Sequence, residues 1–296
     1  MSARASALTS LLSSWELSLR AANRSERTIE AYRLAVRQLA EYLDDPDATE
    51  VGRADIEAFL AHVLSNRSPA TARQRYLSLG VFFRWLVEEE EIDASPMAKV
   101  KAPHVPEQPV PVVSDDHFAA LLKACQGKQF PERRDTAILR LFYDTGSRLG
   151  EVAGLELDHL DLTDRVVHVL GKGKRGRSTP FGIKTAQALD RYLRARARHK
   201  AADTPWLWLG DRGPMTPSGI SQMLKRRCAE AGIEPLNPHR FRHTFAHQWL
   251  ANGGQEQDLM RLAGWRSPQM LSRYGASAAD ERARDAYRNR SPGDKF

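Results

Sequence analysis

Residues 99–111 read Lys-Val-Lys-Ala-Pro-His-Val-Pro-Glu-Gln-Pro-Val-Pro, four prolines in a short span. No other feature constrains the chain as strongly. Proline fixes φ and lacks a backbone N–H, so neither a continuous helix nor a central strand can run through the stretch. It reads as an extended linker. A chain of 296 residues is long enough to build a core on each side of it. The expected division is 1–100, a linker at 101–112, and 113–296.

The first part reads as helical. Apolar residues recur at spacings of three and four over 8–21, 26–42, 55–64 and 69–88. Ser68-Pro69 is a helix start, with a capping hydroxyl followed by proline at the first helical position. The run Tyr76-Leu-Ser-Leu-Gly-Val-Phe-Phe-Arg-Trp85-Leu is too apolar for a surface and should be central. Beyond the linker, helices are expected at 115–125, 132–144, 185–197, 218–231, 238–251, 256–263 and 278–288. Arg165-Val-Val-His-Val-Leu170 alternates and is β-branched. With a Gly-rich turn at 171–176 and a return at 177–181, it predicts a β-hairpin.

Composition narrows the function classes. No run of about 18 apolar residues suggests a membrane span, and the N-terminus lacks the apolar core of a signal peptide. Two distant cysteines, Cys125 and Cys228, argue against a disulfide framework and for a reducing cytoplasm. The net charge of +7 is uneven: residues 1–101 hold 13 Lys/Arg against 15 Asp/Glu, leaving 31 against 22 beyond them. A basic C-terminal part suits an anionic partner, nucleic acid first, although surface charge also serves solubility.

Four stretches carry candidate chemistry: Tyr143-Asp-Thr-Gly-Ser-Arg148-Leu-Gly-Glu151, Gly171-Lys-Gly-Lys174, Asn237-Pro-His239-Arg-Phe-Arg242-His243, and Leu262-Ala-Gly-Trp265 with Tyr274 nine residues on. An arginine fork donates two parallel hydrogen bonds and keeps its proton, which suits the paired oxygens of a phosphodiester. Arg148 and Arg242 are the candidates. His239 and Arg242, three apart, share a helix face behind Pro238, where free N–H groups and the dipole favour phosphate. His243 lies four after His239, but no glutamate follows His239 and no third ligand suggests itself, so a zinc site is rejected. A tyrosine, two arginines, a lysine and a histidine are what metal-free phosphodiester cleavage needs. A phenol has a pKa of about 10 and must be activated by positive charge or a base.

The order and spacing of these stretches resemble the tyrosine recombinase (phage integrase) family, and within it the two-domain, Xer-like members. The resemblance spans about residues 8–274. It implies a mainly α protein with a small β-hairpin or sheet. A SAM-like helical core-binding domain and an α+β catalytic domain would form a C-shaped DNA clamp. It marks Tyr274 as nucleophile by its spacing from Leu-Ala-Gly-Trp265, over Tyr143, Tyr192 and Tyr287. His239 receives the proton-handling role, Lys172 that of general acid with Lys174 a rival, and Glu151 the orienting of Arg148 or the histidine. DNA contacts are expected from Lys174, Arg175, Arg177, Arg27, Arg73 and Arg84.

Two departures stand out. Trp265 replaces the family's usual histidine; an indole N–H can donate but cannot move a proton. Ser147 stands where a larger apolar residue is usual and should alter packing more than chemistry. The implied activity is site-specific breakage and rejoining of double-stranded DNA through a 3′-phosphotyrosyl link, without metal, ATP or cofactor. The implied assembly is a homotetramer on two DNA sites, with the C-terminal segment docking in trans, in the cytoplasm at the nucleoid. Alternatives are type IB topoisomerase-like relaxation, a non-enzymatic DNA-binding regulator, and an RNA-binding protein, the last supported by charge alone.

Overall fold

The computed structural model describes residues 6–106, 111–170, 176–265, 267–268, 271, 284, 287–288 and 290–295. The chain divides into two compact units, Met1–Gln108 and Pro109–Phe296.

The first unit is built from a 3-10 turn, Leu8–Leu11, and helices α1 (Leu12–Ala21), α2 (Glu26–Leu43), α3 (Arg53–Asn66) and α4 (Pro69–Glu88). Side chains set the starts of α2 and α4: Ser25 and Ser68 accept from the N–H of Thr28 and Thr71, both at 3.3 Å. Helix α4 packs on α2 and α3 and delivers Leu79, Phe82, Phe83 and Leu86 to the core, all fully buried. Trp15 of α1 meets Phe82 with ring centroids 4.9 Å apart. The apolar run at 76–86 is therefore the centre of this unit, as its composition predicts.

The second unit holds α5 (Asp115–Ala124), α6 (Phe130–Thr145), α7 (Leu149–Ala153), α8 (Ile183–Arg196), α9 (Pro217–Glu230), α10 (Pro238–Ala251) and α11 (Glu256–Ala263). Strands β1 (Leu160–Asp161), β2 (Val166–Leu170) and β3 (Gly176–Pro180) form one antiparallel sheet in that order. Its register pairs Val167 with Thr179 and Leu170 with Gly176, one residue from the predicted start of the return strand. A second, small hairpin joins β4 (Leu209–Gly210) to β5 (Gly213–Pro214). Helix α6 packs against α8 and α10. Ile138, Leu139, Phe142, Val167, Val169, Leu189, Tyr192 and Phe241 fill the core between them. The short elements α7, β1, β4 and β5 go beyond the sequence reading, because two to five residues show no period. The expected helix at 278–288 lies largely outside the described residues.

A buried charge cluster ties α6 to α9. Asp135 is fully buried and takes Arg134 at 2.7 Å and Arg227 at 2.8 Å, with Arg226 at 3.2 Å. The Arg134 and Arg227 side chains are themselves only 6% and 7% exposed. Removing the carboxylate leaves buried Arg134 with only the Leu209 carbonyl and Arg227 with only Glu230 and the Ala124 carbonyl. Asp135→Ala should therefore cost about 3–5 kcal/mol, read by thermal unfolding. Asp190→Ala, which removes the partner of the exposed Arg194, should leave the unfolding temperature nearly unchanged.

Candidate active site

Helix α6 ends at Gly146, whose φ of +55° is the left-handed cap that glycine tolerates without strain. A Cβ there would approach Phe245 to 2.7 Å, so close helix packing also requires glycine. The chain restarts at once. Thr145 Oγ1 accepts from the Ser147 N–H and donates to Leu141 O. Ser147 is buried and hydrogen-bonds that same hydroxyl at 3.0 Å, so the small residue serves this tight reversal. Arg148 is the N-cap of α7, and Glu151 at its third position accepts the Arg148 N–H at 2.7 Å. This is half of a capping box, with the carboxylate turned back on the helix start.

Glu151 is the centre of the site's electrostatics. Its side chain is 5% exposed, and its two oxygens take Arg148 Nη1 at 2.8 Å and Arg177 Nη1 and Nη2 at 2.8 Å each. Burial alone pushes this carboxyl up. The Arg177 hydrogen bonds, the Arg148 N–H and the two guanidinium charges oppose it and hold it at about 2. The Arg148 side chain is 45% exposed, and its Nε and Nη2 meet no hydrogen-bond partner among the described residues. Arg177, expected as a DNA contact, is turned inward: its fork lies on Glu151 and its Nε donates to Leu262 O at 2.9 Å.

Arg242, on the first turns of α10, is 2% exposed. It donates to Gly146 O at 3.0 Å and to Ala263 O at 2.5 Å, and its Cζ sits 5.3 Å from the centre of the Trp265 ring. One guanidinium thus joins the turn before Arg148 to the turn that carries Trp265. His239 is exposed at the start of α10, where Asn237 caps the His239 N–H at 2.9 Å, and it meets the His243 ring edge-on at 4.5 Å. So Arg148, Glu151, His239, Arg242 and Trp265 belong to elements that converge. Lys172, Lys174, Arg175 and Tyr274 lie outside the described residues. Arg27, Arg73 and Arg84 are exposed on α2 and α4 of the first unit, with Arg73 and Arg84 three helical turns apart on one face.

Two of the three rival tyrosines, Tyr143 and Tyr192, are engaged by protein groups that oppose loss of the phenol proton. Tyr143 donates to Asp115 at 2.9 Å, and burial followed by that carboxylate pushes its phenol up to about 12. Tyr192 is fully buried, bonded to Leu207 O and the Leu209 N–H, and is likewise raised to about 12 by burial. Cys125, also near 12 through burial, is inert as a thiolate. Among the described residues one triplet with metal-ligand potential occurs, Glu156, Asp158 and His159. There His159 Nδ1 accepts the Glu156 N–H, a capping bond that uses one ligand position.

Residues 111–281 match the profile of the "Phage integrase family", and residues 11–93 that of the "Phage integrase, N-terminal SAM-like domain". The chain is 31% identical to the tyrosine recombinase XerC of Corynebacterium efficiens, over 91% of this chain and 86% of that one. It is 31% identical to the tyrosine recombinase XerD of Shewanella oneidensis, over 81% and 82%. Among solved structures, the Tn1549 transposon integrase in complex with transposon right-end DNA superposes with a TM-score of 0.78 at 20% identity, covering 96% of this chain and 99% of that one. A lambda integrase tetramer bound to a Holliday junction gives 0.72 at 17% identity, covering 88% and 78%.

Because Glu151 is depressed in the folded protein, its contribution to stability is complete above its unfolded value of 4.5 and is lost as pH falls toward 2. The contribution is on the order of 3 kcal/mol. Wild type should therefore exceed Glu151→Gln in stability at pH 7, and the gap should close between about pH 5 and 2. Denaturant titrations of both proteins across that range measure it.

Proposed function

The chain belongs to the phage integrase family, the tyrosine recombinases, and on that premise we propose that it recombines DNA at specific sites through a covalent Tyr274 intermediate. The observation that carries the assignment of residues is Arg242. It is bonded at once to the turn before Arg148 and to the turn before Trp265, which joins three of the four motif stretches.

The reaction takes its residue roles from the family resemblance. The phenolate oxygen of Tyr274 attacks the scissile phosphorus. A bond forms between them, and the bond to the 5′-oxygen breaks. The phenol proton leaves to His239, and the departing 5′-oxygen takes a proton from Lys172. Arg148 and Arg242 hold the non-bridging oxygens, whose charge grows in the transition state. Glu151 fixes Arg148, and Trp265 supplies at most a donated N–H. The freed 5′-hydroxyl of a partner strand then attacks the phosphotyrosine and restores the tyrosine. The bond energy stays in the covalent link, so the cycle is isoenergetic and needs neither ATP nor metal. Integration, excision and resolution are all served by this chemistry.

Two such exchanges require four active sites, so the working assembly is a homotetramer on two duplexes at the nucleoid in the cytoplasm. Its C-terminal segment docks on the neighbouring protomer. In the first unit, exposed Arg27, Arg73 and Arg84 contact the phosphate backbone, and Lys174 and Arg175 do so from the hairpin turn. No helix among the described residues is long and apolar enough to cross a membrane.

Covalent trapping tests the chemistry. Wild-type protein, lysed from cells in strong detergent, should carry DNA ends clustered at a few loci, and Tyr274→Phe, Arg148→Ala and Arg242→Ala should carry none. Tyr274→Phe should still bind the recovered sequence. Adducts in Tyr274→Phe would dismiss this nucleophile, and adducts scattered evenly would favour a topoisomerase. Removal of residues 277–296 tests the assembly: DNA binding should persist while synapsis of two sites weakens, and full recombination by the truncated protein would refute docking in trans.

A further inference from the structure

Arg177, on β3, is committed to protein. Its side chain is 13% exposed. Nη1 and Nη2 donate to the two Glu151 oxygens at 2.8 Å each, and Nε donates to Leu262 O at 2.9 Å. Gly264, at φ +64°, closes over the same side chain; a Cβ there would lie 3.3 Å from Arg177 Cδ and Nη1. Three segments therefore meet on one planar group. The first is the start of β3, where Arg177 pairs with Val169 just after the segment that carries Lys172. The second is α7, whose Glu151 also grips Arg148. The third is the end of α11, which leads to Trp265 and on to Tyr274. A lysine offers a point charge and could not bridge a carboxylate edge and a carbonyl in one plane.

We infer that Arg177 is a positioning residue for strand cleavage, locking the start of β3 just after the Lys172 segment, the Arg148–Glu151 pair and the α11 terminus into one frame, and that it does not contact DNA. The inference rests on the recombinase reading above. It separates from two other roles. Were Arg177 a phosphate-binding side chain, its mutation would lower DNA affinity and reduce the salt slope by about one. A side chain that only stabilises the fold lowers the unfolding temperature, and the folded variant cleaves as wild type does. A positioning residue leaves binding and its salt slope in place and slows cleavage.

The pH profile adds a signature that stability alone would not move. Among the described residues, the charged groups facing Glu151 are Arg148, from its own helix, and Arg177, from β3. Burial pushes the Glu151 carboxyl up, and Arg177 is its chief opponent. Without Arg177 the carboxylate takes a proton at higher pH and releases Arg148, so cleavage gains a further acid limb, besides the one that protonation of the His239 base gives wild type.

The experiment compares wild type, Arg177→Met and Arg177→Lys on a duplex carrying the sequence recovered by covalent trapping. It follows covalent adduct on denaturing gels from pH 5.5 to 8.5, together with binding at several salt concentrations. Arg177→Met should bind as wild type and form adduct roughly 10–100-fold more slowly, with the deficit growing toward low pH. Arg177→Lys, which keeps the charge and loses the fork, should remain slow with a weaker acid limb. Wild-type rates and pH dependence in folded Arg177→Met overturn the inference, as does a loss of affinity with a shallower salt slope. Should Arg177→Met fail to fold, a wild-type rate in Arg177→Lys overturns it equally. Absence of adduct from wild type itself defeats the recombinase reading and this inference together, an outcome distinct from wild-type adduct with unaffected variants.

Discussion

One carboxylate, shared by two arginines and a backbone N–H, organises the catalytic unit. Glu151 is almost wholly withdrawn from water, a state that an unpaired anion could not sustain. It is tolerable because four donors from two segments surround it. At neutral pH the pairing outweighs the desolvation of the carboxylate by about 3 kcal/mol, but stability is not its main service. Its value is geometric: removing any member leaves a buried or half-buried charge, so the members are held together. The consequence is directional. Glu151 takes only part of Arg148, and the remainder of that fork is left toward solvent, where a phosphate can meet it.

A second constraint comes from helix ends. Arg148 caps the start of α7, and His239 and Arg242 occupy the first turns of α10. Helix starts carry unsatisfied N–H groups and the positive end of the dipole. The Arg242 bond to Gly146 O brings these two starts together, so the two arginines near them, Arg148 and Arg242, lie close enough to act on one anion. That suits a reaction whose transition state gains charge on phosphate oxygens.

Much of this is legible in the sequence, and the reasons differ by element. Helices α2, α4, α5 and α9 announce themselves by hydroxyl caps at Ser25, Ser68, Ser114 and Thr216 and by apolar periodicity. The Thr145-Gly146 stop before Arg148 follows from the left-handed preference of glycine. Helix α7 escapes because five residues make barely more than one turn. Its only signal is the Arg148-to-Glu151 spacing, which reads equally as a surface ion pair. The strands β4 and β5 are two residues each, held by a Gly-Asp-Arg-Gly turn. Arg177 misleads for a different reason. It sits in a run of Lys and Arg, and sequence shows its charge without its direction. The inward turn is set by a carboxylate 26 positions earlier and a carbonyl 85 positions later, and no local pattern encodes either.

Trp265 illustrates how one substitution redistributes work in such a frame. Its ring is 6% exposed, packs with Ala246, Leu250, Leu259, Ala263 and Leu271, and lies beneath Arg242. An aromatic face under a guanidinium attracts it through the ring quadrupole, most strongly where water is excluded. The indole thus serves the arginine, and through it the phosphate, by placement. It cannot take or return a proton in the way an imidazole can. In the reaction proposed above, proton traffic is then left to His239, exposed at a helix start, and to Lys172. The buried part of the site is left with fixed charges and donors, a rigid electrostatic mould. His239 lies outside that buried part, exposed at the start of α10.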